Sequence, residues 1–139
     1  MGVNIYATNS NYKFGLSYSG FNRIRRVIAD RLDSDFGDLY YEWTKVPNTF
    51  SKLPYKDRVE KSVEYLNKME HLVNNKNLDQ DVVNFLMLPD IKGSVTYKTC
   101  RKLAAALFGE IEESYLIDWN QFKEFLMECY SHRRNMCWS

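Results

Sequence analysis

Three arginines stand close together near the start of the first predicted helix, at Arg23, Arg25 and Arg26. The first turn of a helix offers unpaired backbone N–H groups and the positive end of the helix dipole. Because a planar guanidinium group also matches the oxygens of a phosphate or carboxylate, this segment is a candidate anion-binding site. The nearby aromatic residues that could stack on a base or ring are Tyr12, Tyr18 and Phe21.

The acidic residues that follow this cluster offer a second interpretation. Asp30 comes four residues after Arg26, which is the spacing of an ion pair on a helix surface. Two further carboxylates, Asp33 and Asp35, come shortly afterwards. Charged helix faces are usually solvated. The sequence therefore leaves two hypotheses open, an anion-binding site and a solvated, salt-bridged helix face.

A second basic segment lies near the end of the chain, where Arg133 and Arg134 follow the last predicted helix. The helix dipole stabilises cations at this position without any ligand, and the pair is also a candidate for binding an anion. Trp138 would be exposed in a loose tail, so we expect this segment to pack against the rest of the protein.

Two segments have a partial likeness to metal sites. Cys129, His132 and Cys137 are spaced like part of a zinc knuckle, but a structural zinc ion needs four ligands and the fourth would be distant in sequence. Residues 88–99 place Gly93 at the turn of a calcium-type loop, yet Lys92 occupies a ligand position. The sequence predicts no metal site and no other cofactor.

The sequence also lacks an obvious catalytic motif. It contains two histidines, and no nucleophile elbow, phosphate-binding loop, dinucleotide fingerprint or zinc-protease motif. Glu110, Glu112 and Glu113 supply carboxylates, but in a polar connector where nothing would shift a pKa. We therefore expect a protein that is not an enzyme. A small enzyme remains an alternative, with a site assembled from scattered residues.

Composition favours one globular domain over residues 1–139, because 45% of the residues are hydrophobic and 15% are aromatic. The 19 basic and 18 acidic residues give a formal net charge of +1. Proteins dedicated to nucleic acids usually carry a clear basic excess, since phosphate contacts supply most of their affinity. General coating of DNA or RNA is therefore not expected, although a local basic patch is compatible with this balance.

Targeting signals are also not apparent. Residues 1–10 have no basic region followed by an apolar run, and the chain has no apolar run of about eighteen residues. The three cysteines are an odd number, which favours reduced thiols over a disulfide framework. We therefore expect a cytoplasmic protein that does not span a membrane.

Alternating aromatic and apolar residues predict a β-hairpin over residues 2–18, with a polar turn at residues 8–11. Residues 19–139 are predicted to form a helical body of about five helices, so the fold class is mainly α with a small N-terminal hairpin. The predicted helices begin at Ser19 (with a break near Asp33), Pro54, Asp79, Thr96 and Asp118. Pro47 is expected to end the first of them.

The second predicted helix carries an apolar stripe that is expected to face the core. Its members are Val59, Val63, Leu66, Met69 and Val73.

Three segments resemble small uncharacterised proteins of bacteriophages and prophages of Gram-positive bacteria. They are residues 18–25, residues 84–94 and the final Cys137-Trp138. This resemblance implies the cytoplasm of a bacterial host and an accessory role, including inhibition of bacterial defence. It implies no activity, and this chain has Asp90-Ile91-Lys92 where the relatives have an acidic or cysteine-containing loop.

The leading hypothesis is a non-enzymatic binding protein of phage type. It would sequester a nucleotide-like anion through the arginine cluster, or block a host defence protein through exposed aromatic residues. The alternatives are a nucleic-acid-binding regulator that uses the arginine-rich helix, a small enzyme, and a subunit of a homo-oligomer with aromatic residues buried between copies.

Overall fold

The computed structural model describes residues 2–109 and 116–139, apart from the side chain of Leu116. Within these ranges, helices pack around a small antiparallel sheet, and the predicted mainly α fold with an N-terminal hairpin is confirmed. The strands are β1 (Gly2–Ala7), β2 (Lys13–Ser17), β3 (Gly93–Val95) and β4 (Met136–Trp138). The helices are α1 (Tyr18–Leu32), α2 (Ser34–Thr49), α3 (Tyr55–Lys76), α4 (Gln80–Met87), α5 (Tyr97–Ala106) and α6 (Leu116–Ser131).

The hairpin of β1 and β2 forms as its alternating pattern predicts. Ile5 pairs with Phe14, and Val3 pairs with Leu16, so apolar side chains from both strands lie on the same face. Asn9 adopts a left-handed backbone conformation with φ of 54°, which asparagine tolerates better than most residues. The residues of the turn, 8–12, are therefore of the types that favour a tight reversal of the chain.

The end of the chain forms a strand that the sequence analysis did not predict. β4 lies between β1 and β3, giving the sheet order β2-β1-β4-β3, and it pairs antiparallel with both neighbours. Backbone bonds between Asn4 and Ser139 extend this pairing, with N···O distances of 2.9 and 3.0 Å. A three-residue strand is too short to show alternation in a sequence, although the expectation that the tail packs on the protein is confirmed.

Trp138 anchors β4 in the core. The side chain is 1% exposed, its ring lies against Phe21 and Phe85, and its Nε1 donates a hydrogen bond to the Pro89 carbonyl at 2.9 Å. Gly93 on β3 faces the same ring, where a Cβ atom would lie 2.2 Å from Trp138 Cζ2. Glycine is therefore required at position 93 by close approach of the indole ring.

The junction of α1 and α2 confirms the break predicted near Asp33. The Asp33 N–H donates to the Ala29 carbonyl at the end of α1, while its carboxylate accepts from the Phe36 N–H at 2.9 Å and caps α2. Lys76 pairs with Asp33 and Asp35 at 3.0 Å each. The hydrogen bond from Phe36 and then the one from Lys76 hold the pKa of Asp33 below its usual value.

Several predicted helix ends are displaced. Ser17, not Ser19, caps α1 by accepting a hydrogen bond from the Gly20 N–H at 3.0 Å. Pro47 lies inside the last turns of α2, which continues to Thr49. α6 begins at Leu116, two residues before the predicted start.

The predicted apolar stripe of α3 faces the core only in the second half of the helix. Met69 and Val73 are buried, whereas Val59 and Val63 are exposed. The core is also formed by buried residues of α5, of the position that follows it and of α6, which are Cys100, Leu103, Ala104, Leu107, Trp119, Phe122, Phe125, Leu126 and Cys129. No helix in the described ranges combines the length and apolar character that a membrane crossing demands.

Replacing Trp138 with alanine is expected to lower the free energy of unfolding by about 3–5 kcal/mol, because a fully packed ring is removed. Trp138→Phe keeps much of the ring volume but loses the bond to Pro89, so we expect a smaller loss of about 1–2 kcal/mol. Urea unfolding followed by circular dichroism measures both losses. The control is Tyr55→Ala, which removes a ring that is 75% exposed. Equal stability of Trp138→Ala and this control would contradict the packing of β4.

Candidate functional site

A cavity of about 920 Å³ lies beside α1 and is closed by α2, the start of α3 and the segment that follows α4. Its volume is in the range of small-molecule sites. The charged residues of the lining are Arg23, Arg25, Arg26, Arg58 and Asp90. The aromatic residues of the lining are Tyr40, Tyr41, Trp43 and Tyr55. We call this space the arginine cavity.

Because of helical periodicity, one side of α1 packs in the core and another side lines the arginine cavity. Ile24 and Ile28 are buried, whereas Asn22 and Arg26 lie on the exposed face that lines the cavity. Residues three and four apart share one side of a helix. The structure thus brings together all three arginines of the predicted cluster, but they occupy different environments.

Arg25 is 2% exposed and holds the end of α4. Its Nη2 donates to the Phe85 carbonyl at 3.1 Å, the Leu86 carbonyl at 2.7 Å and the Leu88 carbonyl. The last carbonyls of a helix have no partner within the helix, so a buried cation satisfies them and complements the dipole. The Nε atom of Arg25 has no hydrogen-bond partner in the described part of the chain.

Tyr40 lies next to Arg25 and is also buried. Burial raises the pKa of its phenol, and the positive charge of Arg25 opposes that shift. The charge of Asp90 raises the same pKa further. The phenol therefore remains protonated and keeps its O–H donor at neutral pH.

Arg26 stacks on an aromatic ring. Its guanidinium carbon lies 3.4 Å from the ring centroid of Tyr41, and Lys45 lies 4.2 Å from the same centroid. The expected ion pair of Arg26 with Asp30 is not formed. Burial raises the pKa of the Asp30 carboxyl, and the positive charge of Arg26 opposes part of that rise. Asp33 and Asp35, the other two carboxylates of the salt-bridge hypothesis, pair with Lys76. Arg23 and Arg26 are both exposed, as expected for a solvated helix face.

Arg58 reaches the cavity from α3, and the sequence analysis did not select it. Its guanidinium carbon lies 5.8 Å from the ring of Tyr55, and its Nε is buried without a hydrogen-bond partner among the described residues. Lysines and arginines are common on the polar face of an amphipathic helix. The sequence around Arg58 therefore carries no signal that separates it from solvated cations.

Asp90 is the one acidic residue among the described residues that line the cavity. Its Oδ2 accepts a hydrogen bond from Asn22 Nδ2 at 3.0 Å. The backbone on its N-terminal side is held at two successive carbonyls, Leu88 by Arg25 and Pro89 by Trp138. Asn22 on α1 therefore holds the carboxylate itself, while Arg25 and Trp138 hold the backbone that leads to it.

The aromatic residues predicted to stack on a ligand lie elsewhere. Phe21 is fully buried in the core, and Tyr18 packs against the core. Tyr12 stacks on Phe125 with ring centroids 5.3 Å apart. The predicted rings are close to the arginines in sequence but lie on the side of α1 that faces the sheet, whereas the rings that line the arginine cavity belong to α2 and α3. The three arginines predicted from the sequence line one cavity, and the three predicted rings do not line it.

The two C-terminal arginines are separated from the arginine cavity. Arg134 Nη1 donates to the Thr8 carbonyl at 3.3 Å and to the Asn9 carbonyl, so it holds the hairpin turn. Arg133 lines a second cavity of about 700 Å³ between α5 and α6. In that cavity Lys102 forms ion pairs with two aspartates of the α4 N-terminus, at 3.1 and 2.7 Å.

The cysteines belong to the core or its edge. Cys100 and Cys129 are buried side by side, and the hydrogen bond between them together with burial raises the pKa of Cys100. Residues 2–109 and 116–139 contain no group of three or more histidine, cysteine or acidic side chains arranged for a metal ion. Glu110, Glu112 and Glu113 lie outside the described residues.

No family model, curated protein or solved structure matches this chain. The chemistry of the arginine cavity is therefore the main guide to function. Four guanidinium groups around several aromatic rings suit an anion that carries a flat ring, because guanidinium binds phosphate or carboxylate and the rings stack.

Replacing Arg25 with methionine is expected to lower the free energy of unfolding by about 3 kcal/mol or more, because three carbonyls lose a charged donor. Arg26→Met is the matched control and is expected to lose about 1 kcal/mol or less, since Arg26 is exposed. Urea unfolding measures both. Similar losses in the two variants would show that Arg25 does not hold the end of α4.

Proposed function

We propose that this protein is a non-enzymatic binding protein that captures a nucleotide-like anion in the arginine cavity. The proposal is carried by one observation, which is that arginines outnumber carboxylates among the described residues that line a cavity of ligand size. Cations held together repel one another and lose part of their hydration, and a bound anion would relieve both effects.

Two arginine nitrogens strengthen this argument. Nε of Arg25 and Nε of Arg58 are buried and have no hydrogen-bond partner among the described residues. A buried donor without a partner costs about 1–3 kcal/mol, and more when the group is charged. If the side chains that cover these two nitrogens move aside, phosphate oxygens would accept charge-assisted hydrogen bonds from them.

The aromatic lining favours a ligand with a ring over a simple inorganic anion. Tyr55 is exposed at the rim of the cavity, while Tyr41 lies beneath the guanidinium group of Arg26. Trp43 is fixed by a hydrogen bond from its Nε1 to Ser62 Oγ at 2.9 Å. Fixed aromatic side chains provide stacking surface at little cost in conformational entropy.

We propose binding without catalysis because the described residues of the lining include no nucleophile paired with a general base. Its hydroxyl groups come from serine, threonine and tyrosine, and no histidine or cysteine stands beside them. In line with the resemblance to phage proteins, we propose that such capture takes place in a bacterial host, where sequestering a signal nucleotide would inhibit a defence response. Both the phage setting and the cytoplasmic location belong to this proposal.

A second candidate function is supported by the exposed apolar stripe of α3. Tyr55, Val59 and Val63 follow one another at intervals of four residues and are 75%, 43% and 45% exposed. Exposed apolar residues on one helix face are typical of a protein-binding surface. A nucleic-acid regulator has less support, since Arg25, one of the three arginines of the arginine-rich helix, is buried and bonded to carbonyls at the end of α4.

Isothermal titration with GDP, ADP and pyrophosphate tests the anion-binding proposal. We expect at least one nucleotide to bind, and Arg26→Gln and Arg58→Gln each to weaken binding about tenfold to hundredfold by removing charge-assisted contacts. Arg101→Gln, which removes an arginine from the second cavity, is the matched control and should leave affinity within about twofold.

Native mass spectrometry of protein freshly purified from bacteria provides the second readout. We expect a non-protein adduct that is lost on denaturation and absent from the double variant Arg26→Gln, Arg58→Gln. The anion-binding proposal fails if no nucleotide or pyrophosphate binds at millimolar concentration, or if Arg101→Gln weakens binding as much as the cavity variants.

A further inference from the structure

Asp90, the one carboxylate among the described residues that line the arginine cavity, is the feature that anion capture alone does not explain. Asp90 stands among four arginines, where its negative charge opposes the binding of phosphate. In the free protein this carboxylate offsets part of the positive charge of the arginines, and it contributes to ligand binding when it accepts hydrogen bonds from an electropositive part of the ligand. Nucleobases carry such groups on their edges as N–H donors.

Asp90 is held in a fixed position. Asn22 bonds its Oδ2 at 3.0 Å, and the two preceding carbonyls are bonded by Arg25 and by Trp138. Its Oδ1 accepts no hydrogen bond from any described residue, and Oδ2 retains a second lone pair. The carboxylate therefore offers two adjacent acceptors, already oriented by the protein.

The position of Asp90 also separates the two ends of a ligand. Asn22 and Arg26 lie one helical turn apart on α1, which corresponds to about 6 Å along the helix axis. A nucleotide could place its phosphates near Arg26 and its base near the pair of Asn22 and Asp90. This orientation keeps the phosphate charge away from the carboxylate.

We propose that the pair of Asn22 and Asp90 selects a guanine base, so that the ligand is a guanine nucleotide. This inference rests on the proposed function. Guanine presents two neighbouring donors, N1–H and the N2 amino group, which match the two oxygens of one carboxylate. Adenine and cytosine place an unprotonated ring nitrogen beside their amino group, and its lone pair would face the carboxylate. Uracil offers a single N–H between two carbonyls.

Isothermal titration with GDP, IDP and ADP tests this selection, because IDP differs from GDP only in lacking the 2-amino group. We expect GDP to bind about tenfold to hundredfold more tightly than IDP or ADP, in line with the discrimination of paired hydrogen bonds to a base edge. Asp90→Asn replaces one acceptor with a donor and is expected to abolish the preference for GDP, so that this variant binds GDP and ADP with similar affinity.

Binding of pyrophosphate distinguishes a variant that has lost base selection from a variant whose binding site is damaged. It carries no base, so Asp90→Asn is expected to bind it more tightly than the unaltered protein does, since a repulsive charge is removed. Asp81→Asn removes a distant carboxylate and should preserve the preference for GDP. Equal affinities for GDP, IDP and ADP would overturn guanine selection while leaving anion capture intact. Failure of every nucleotide and of pyrophosphate to bind would overturn both proposals.

Discussion

The structure depends on one buried cation. One terminal nitrogen of Arg25 bonds three carbonyls at and just beyond the end of α4, where helices leave acceptors without intrahelical partners. The Phe85 carbonyl also accepts from the Leu88 N–H. Its guanidinium carbon lies 5.4 Å from the ring centroids of both Phe21 and Phe85. Cation and aromatic contacts together join α1 to α4 at the centre of the fold.

This contact fixes the segment that shapes the arginine cavity. Because Arg25 holds the Leu88 carbonyl and Trp138 holds the Pro89 carbonyl, the backbone leading to Asp90 is tied to both α1 and β4. Trp138 reaches that position because β4 pairs between β1 and β3, and Gly93 leaves room for its ring. The sheet thus supports the cavity although it contributes no strand residue to the lining.

Local signals in the sequence account for much of the fold and for part of the site. The spacing of apolar residues predicted the later helices, and Asp33 was recognisable as a break between two of them. The cluster of Arg23, Arg25 and Arg26 was visible because its members are neighbours in sequence. Arg58 was not, since it joins them only through the packing of α2 and α3.

The errors also have physical causes. Phe21 follows the aromatic hairpin and precedes the arginines, but helical periodicity turns its ring into the core, away from Asn22 and Arg26. β4 contains three residues and forms only because two other strands flank it. The first half of α3 carries an apolar stripe that lies beyond the core, at the rim of the cavity. Periodicity predicts which residues of a helix share an apolar face, but not which part of the protein covers that face.

The most direct test of anion capture is to observe the two unpartnered arginine nitrogens. Nuclear magnetic resonance of ¹⁵N-labelled protein resolves arginine Nε–Hε signals, which single substitutions assign. On addition of GDP we expect the signals of Arg25 and Arg58 to shift as their donors gain acceptors, while the signal of Arg101 stays in place. Unchanged Arg25 and Arg58 signals at saturating nucleotide would contradict capture of the anion in this cavity.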